Sequence, residues 1–146
     1  MSAGYLLDVN VMVALIWPSH EAHGHVQIWF RLNSTASWAT CPITQAGFVR
    51  IVSNPAFSRD AVPPQEAITL LENNLKHPHH HFWADDVGFS KAAQPFFEQL
   101  TGHKQVTDAY LLGLASHKKA RLVSLDRAIL HLLPENRLER ELVIVL

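Results

Sequence analysis

The sequence predicts an α/β fold, a mostly parallel sheet of five strands flanked by helices on both faces. Three observations carry this. Five short stretches, Tyr5–Leu7, Ser37–Cys41, His80–Trp83, Leu122–Ser124 and Leu142–Leu146, have the length and boundaries of strands, most of them apolar enough to be buried. Stretches with helical periodicity lie between them, and that alternation marks β-α-β units. The chain has 146 residues, 48% hydrophobic and 17% charged, enough for one packed core and too apolar for disorder. No repeat or linker divides it, so residues 1–146 are expected to form a single domain.

Taken in order, Tyr5-Leu6-Leu7 runs directly into Asp8. Asn10 is placed to cap the helix that follows, Val11–Trp17, which Pro18 stops. Glu21–Leu32 forms a second helix with Ala22, Val26, Trp29 and Phe30 on its apolar side. Pro42 stops the second strand. Thr44–Val52 turns Phe48, Ile51 and Val52 inward and ends at Ser53-Asn54-Pro55. Pro63 and Pro64 open a fourth helix, whose stripe is Ala67, Ile68, Leu71 and Leu75. Phe89–Leu100 is helical with a break near Pro95. A strong helix begins at Thr107 or Asp108 and runs through Ala115, and His117, Lys118 and Lys119 suit its negative end.

The net charge is −1, so bulk charge gives no support for nonspecific wrapping of nucleic acid. The distribution is less even. From His103 to Arg140, Lys104, Lys118, Lys119, Arg121, Arg127, Arg137 and Arg140 stand against Asp108, Asp126, Glu135 and Glu139. This is either a solvated helix face or a basic surround for two carboxylates. Cys41 has no partner for a disulfide, which suits a reducing cytoplasm, and it reads as a buried structural thiol. The N-terminus has no basic region of a signal peptide, and the longest apolar run, Val11–Trp17, is too short to span a bilayer. No membrane association is expected.

Asp8 and Asp126 each follow an apolar strand, and Asp108 lies in the first turn of a helix. In open parallel sheets ligands bind at the carboxyl ends of the strands, where the following helices begin. Three carboxylates far apart in sequence are therefore expected to converge on one crevice. They repel one another unless a cation or protons intervene. Mg²⁺ and Mn²⁺ are hard cations suited to such oxygen donors, and a metal held there polarises a phosphodiester and acidifies bound water. Each residue also has a plainer reading: Asp108 as a helix cap, Asp126 as a turn residue or ion-pair partner beside Arg127. Only Asp8, an ionised group behind a buried strand, demands a partner. No glycine-rich nucleotide loop and no nucleophile elbow occurs. His20, His23 and His25 have a spacing that also suits a transition metal, though a solvated face explains them as well, and His77, His79, His80 and His81 read as a loop or an RNA contact.

The motifs resemble those of a known family. Leu6-Leu7-Asp8-Val9-Asn10 resembles the opening motif of PIN domains. Thr107-Asp108-Ala109-Tyr110-Leu111 resembles their third acidic motif, and Leu122-Val123-Ser124-Leu125-Asp126-Arg127-Ala128 their last. Cys41 to Arg50 resembles the second motif of VapC-type toxins, and Phe82-Trp83-Ala84-Asp85-Asp86 a VapC subgroup. The resemblance implies a PIN-like fold and a homodimer. It also implies a Mg²⁺- or Mn²⁺-dependent endoribonuclease cutting structured RNA such as tRNA or ribosomal RNA, and a cognate VapB-like antitoxin. On this reading Asp8, Asp108 and Asp126 are metal ligands. Gln45, Asn10 and Ser124 support them, and Lys104, Arg121 and Arg127 steer RNA. Gln45 stands where the family carries a glutamate, which removes one charge, and Asp85 and Asp86 are the candidates to replace it. A non-catalytic PIN-like module binding RNA or protein, and a small-molecule phosphohydrolase, are the alternatives.

Overall fold

A computed structural model describes residues 4–134 and 141–146; Met1–Ala3, together with Glu135, Arg137, Glu139 and Arg140 of the basic C-terminal stretch, lie outside the described residues. Its strands are β1 (Tyr5–Leu7), β2 (Trp38–Thr40), β3 (His80–Phe82), β4 (Arg121–Ser124) and β5 (Val143–Val145), in the spatial order β3-β2-β1-β4-β5. All four pairings are parallel. The chain moves from β1 through β2 to β3 on one side, then returns past β1 to β4 and β5. The reversal lies between β1 and β4, where open α/β sheets form a crevice at their carboxyl ends.

Helices α1 (Val9–Ile16), α2 (His23–Asn33), α3 (Pro42–Val52) and α4 (Pro64–Leu75) precede β3, and α5 (Phe89–Ala93) and α6 (Val106–His117) follow it. Strand side chains alternate between faces. Leu7, Val123 and Trp38 pack with Met12, Val26, Phe48 and Leu71 of α1–α4. Leu6, Leu122 and Ala39 pack on the other face with Phe96, Leu111, Leu112 and Ile129. In α6 every residue from Ala109 to Ala115 is buried, so the middle of this helix is enclosed on all sides.

Several boundaries differ from the sequence expectation, each for a local reason. Asp8, not Asn10, caps α1, its Oδ1 accepting from Val9 N–H at 2.8 Å. Pro42 does stop β2, but it also serves as the first residue of α3, where its missing N–H costs nothing. The break at Pro95 separates α5 from a 3-10 turn over Gln94–Gln99. Asp108 is not a cap, because α6 begins two residues earlier at Val106. In α4, Ala67 and Leu71 are buried but Ile68 is 46% exposed.

Beyond the end of α6, Lys119 holds φ at 55°, the left-handed conformation usually given to glycine after a helix. Replacing Lys119 with Gly should raise stability by about 0.5–1 kcal/mol, read as a higher urea midpoint at unchanged slope. An unchanged midpoint would mean that the lysine carries no backbone penalty there.

Candidate active site

The crevice between β1 and β4 is assembled around one hydroxyl. Ser124, fully buried at the end of β4, donates its proton to Asp8 Oδ2 at 2.7 Å. Its two lone pairs accept from Asp126 N–H at 3.0 Å and from Asn10 Nδ2 at 3.3 Å. The hydroxyl thus fills its donor and both acceptor positions. Asn10 completes the link by accepting from Leu125 N–H at 3.0 Å through Oδ1. The first turn of α1 is thereby tied to the chain leaving β4. Asn10, expected as a cap, serves as this cross-link instead.

Asp8 is 7% exposed, and burial raises its carboxyl pKa above the usual range against the opposing hydrogen bonds from Ser124 and Val9, with the nearby Asp126 charge adding to the rise. Asp108 sits in the first turn of α6 and faces the same space. Burial, then the charges of Asp8 and Asp126, push its pKa up to about 7, and among the described residues no hydrogen bond opposes the shift. Asp126 is exposed, with Oδ1 accepting from Ala128 N–H at 2.9 Å, where it caps a 3-10 turn over Arg127–Leu132.

The structure therefore brings Asp8, Asp108 and Asp126 within electrostatic reach of one another, with Ser124 and Asn10 beneath them. Among the described residues, however, no three His, Cys, Asp or Glu side chains already stand as a group able to hold one metal ion. Asp126, expected to join Asp8 and Asp108 directly or through water, is not grouped with them as a third direct ligand in these side-chain positions. The donor chemistry still fits a hard divalent cation. Among the described residues the Asp108 carboxyl has no hydrogen-bond partner, and Mg²⁺ typically takes only one or two carboxylates and fills the rest of its sphere with waters and phosphate oxygens.

Gln45 is not brought to this group. Two residues on, Gly47 is the α3 position pressed against α1: a Cβ there would meet Val9 Cγ2 at 2.6 Å. Gln45, about 200° away around the helix, faces elsewhere. Its Nε2 donates to Thr40 Oγ1 at 3.0 Å, and it lines a groove between α3 and α4. Thr40 in turn bonds His80 Nε2 at 2.8 Å. Asp85 lies beside Cys41 and Tyr110, and Asp86 pairs with Lys118 at 3.4 Å, so neither supplies the missing charge to Asp8 or Asp108. Lys104 is exposed on the 3-10 turn His103–Gln105 that leads into α6, and Arg127 is exposed next to Asp126. Arg121 opens β4 at the opposite end of the sheet, its Nε donating to Glu141 O at 2.7 Å. It stands away from the crevice because its strand runs the full depth of the sheet before reaching Ser124.

The histidine clusters are structural in part. His20 Nδ1 accepts from Ala22 N–H at 3.0 Å, and His23 Nδ1 contacts Ala14 O at 2.8 Å. His77 packs edge-on against Phe30 and Trp38, and His80 is a β3 residue. Burial lowers the pKa of both. The Gln45–Thr40–His80 chain was not legible beforehand, since it depends on β2–β3 register.

Among the described residues no helix is long and apolar enough to cross a membrane. Residues 5–132 match the family model described as the PIN domain. The chain is 43% identical over 124 residues to Ribonuclease VapC38 of Mycobacterium tuberculosis (strain ATCC 25618 / H37Rv), covering 85% of this chain and 86% of the relative. It is 41% identical to Ribonuclease VapC39 of Mycobacterium tuberculosis (strain CDC 1551 / Oshkosh), covering 85% and 89%. The crystal structure of VapBC2 from Rickettsia felis bound to a DNA fragment from its promoter contains a chain that superposes with a TM-score of 0.57 at 16% identity, over 90% of this chain and 93% of that one, a likeness of fold. With a five-stranded parallel sheet, an aspartate directly after β1, a serine ending β4 and an aspartate two residues beyond it, matched over most of its length, the chain belongs to the PIN-domain family, among its VapC-type members.

Proposed function

We propose that this protein is the toxin of a toxin–antitoxin pair, a divalent-metal-dependent endoribonuclease acting in the cytoplasm on structured RNA such as tRNA or ribosomal RNA. The observation that carries the reading is the Asp108 carboxyl, driven up to about 7 by burial and by Asp8 and Asp126. Carboxyls held together against their own repulsion are an arrangement that costs stability and is relieved by a cation. The names of the relatives, Ribonuclease VapC38 and VapC39, support the same reading.

Asp8 and Asp108 would be the principal ligands of Mg²⁺ or Mn²⁺, with Asp126 completing the acidic group directly or through water. A divalent ion bound there supplies Lewis acidity toward a phosphate oxygen and lowers the pKa of a bound water. Ser124 fixes the rotamer of Asp8 and spends its proton there. Asn10 holds Leu125, and with it the backbone bearing Asp126, against α1. Lys104 and Arg127 flank the carboxylates and offset their repulsion of the RNA backbone. A VapB-like antitoxin and a homodimer belong to the same proposal. Gln45, neutral and turned toward Thr40, favours a second reading, a non-catalytic module that binds RNA without cutting it.

The test is cleavage of single-stranded and tRNA substrates by the purified protein with Mg²⁺ or Mn²⁺, and again after chelation. Cutting that stops with chelator is expected; binding without cutting under every metal condition selects the second reading. Ser124→Ala should lower cleavage roughly 10–100-fold, since it removes the group orienting a metal ligand, while Ser124→Thr keeps the hydroxyl and most of the activity. Equal activity of the alanine and threonine variants would show that the hydroxyl does not orient Asp8.

A further inference from the structure

Beside the carboxylates, between the first turns of α6, the start of α3 and the segment after β3, lies a cavity of about 380 Å³ that nothing above uses. Ile43, Asp85, Val87, Phe89, Thr107 and Tyr110 line it. Thr107 directly precedes Asp108, so the cavity opens one residue from the acidic crevice. Its volume lies at the small end of ligand pockets. Its rim is unusually apolar for a surface: Phe89 is 44% exposed, and Val106, also part of the lining, is 42% exposed. The Phe89 ring is braced by Tyr110, stacked at 6.1 Å with 13° between planes.

The polar side chains of this cavity are Asp85, Tyr110 and Thr107, and the Thr107 hydroxyl both donates and accepts. The Tyr110 hydroxyl gives its proton to Val87 O at 2.9 Å and is committed to the wall. Asp85 is exposed, its carboxylate lies beside the Cys41 thiol, and when ionised it only accepts. A flat occupant that lies on the Phe89 ring, offers N–H donors to Asp85 and offers an acceptor to Thr107 fits this lining, and Asp85 repels a phosphate. Among the nucleobases, guanine presents two adjacent donors, N1–H and N2–H, that match the two oxygens of one carboxylate. Adenine and cytosine offer only an amino group at that edge, and uracil flanks its single N–H with carbonyl acceptors.

We propose that this cavity is a nucleobase pocket selective for guanine, in which the base of a nucleotide flanking the scissile phosphate stacks on Phe89 and pairs through its Watson–Crick edge with Asp85. The pocket rests on the ribonuclease reading for its place beside a scissile bond, but the binding of a guanine base does not. Recognition of unpaired bases by aromatic stacking with edge hydrogen bonds is the usual way proteins read single-stranded RNA.

Two measurements separate the readings. In the first, wild-type protein, Asp85→Asn and Phe89→Ala cut a randomised single-stranded RNA pool, and the products are sequenced. Guanine should be enriched at one position beside the cut, and the ratio of cutting at guanine to cutting at other bases should fall roughly ten- to hundredfold in Asp85→Asn. Replacing that guanine with inosine, which lacks the N2 amine, should lower the wild-type ratio in the same direction. No guanine enrichment in the wild type, or enrichment unchanged in both variants, overturns the pocket and leaves the nuclease reading intact. In the second, 5′-GMP and 5′-UMP are titrated into each protein and followed by NMR. Binding of GMP over UMP that is lost in Asp85→Asn and weakened in Phe89→Ala supports the pocket, even if no RNA is cut. Absence of GMP binding overturns it, and so does displacement by an arginine-bearing peptide alone, which would assign the cavity to a protein partner.

Discussion

Replacing either Asp8 or Asp108 with Asn is expected to lower metal-dependent RNA cleavage at least about a hundredfold. Asp108→Asn should at the same time make the metal-free protein more stable at neutral and alkaline pH. Asp108 titrates at 3.8 in an ordinary setting and at about 7 in the fold. Its folded pKa is raised, so between these values the folded state binds the proton that the unfolded state has lost, and stability falls as pH rises through that window. The favourable contribution is full below about pH 4 and gone above about pH 7. Three units would nominally be worth about 4 kcal/mol, and solvent screening of this half-buried group reduces that to about 1–2 kcal/mol. For a chain of this size that is roughly 3–6 °C in Tm. At pH 8 without divalent ions, Asp108→Asn should melt higher than wild type by that amount, and at pH 4 the two should coincide. Adding Mn²⁺ should raise the wild-type Tm and leave Asp108→Asn much less affected. Equal melting at pH 8 together with retained cleavage would remove the acidic crevice as the seat of the reaction.

Gly113→Ala is the substitution expected to damage the fold most for its size. A Cβ at Gly113 would lie 2.1 Å from Ala92 O, 2.4 Å from Ala92 C and 2.6 Å from Ala92 Cβ. Two of these are backbone atoms of α5, which cannot rotate aside, so α5 and α6 must part. The expected loss is about 3 kcal/mol or more, roughly 6–12 °C in Tm. Because α6 carries Asp108 on its first turn, a shift of that helix also moves the carboxyl relative to Asp8. Gly24→Ala is the control. It lies in α2 with nothing within 4 Å of the added methyl group, so the change should be neutral or slightly stabilising. A Gly113→Ala protein that melts like wild type would show that α5 is not held against α6.

The α/β class was readable from the chain because its cause is local. Short apolar stretches such as Leu6-Leu7 and Leu122-Val123 are buried on both faces, and helical periodicity between them calls for parallel crossovers. The pairing of Asp8 with the Ser124–Asp126 segment was readable too, since strand ends followed by acids announce themselves in order. Helix starts were less so. Asp8 and Asn10 are both good caps by residue type, and only the crossing of α1 over β4, which engages Asn10 with Ser124 and Leu125, decides between them.

Side-chain direction was the property that sequence order did not contain. Gln45 occupies the motif position of an acid, yet the phase of α3 set by Gly47 against Val9 turns it toward Thr40. Arg121 and Asp126 are five residues apart, yet one lies at the foot of β4 and the other beyond its top. Asp85, Phe89 and Tyr110 form one cavity only because α6 packs against the loop after β3. Periodicity reports whether a residue is buried within its own element; which neighbour it meets depends on how elements far apart in the chain are rotated against each other, and packing alone settles that.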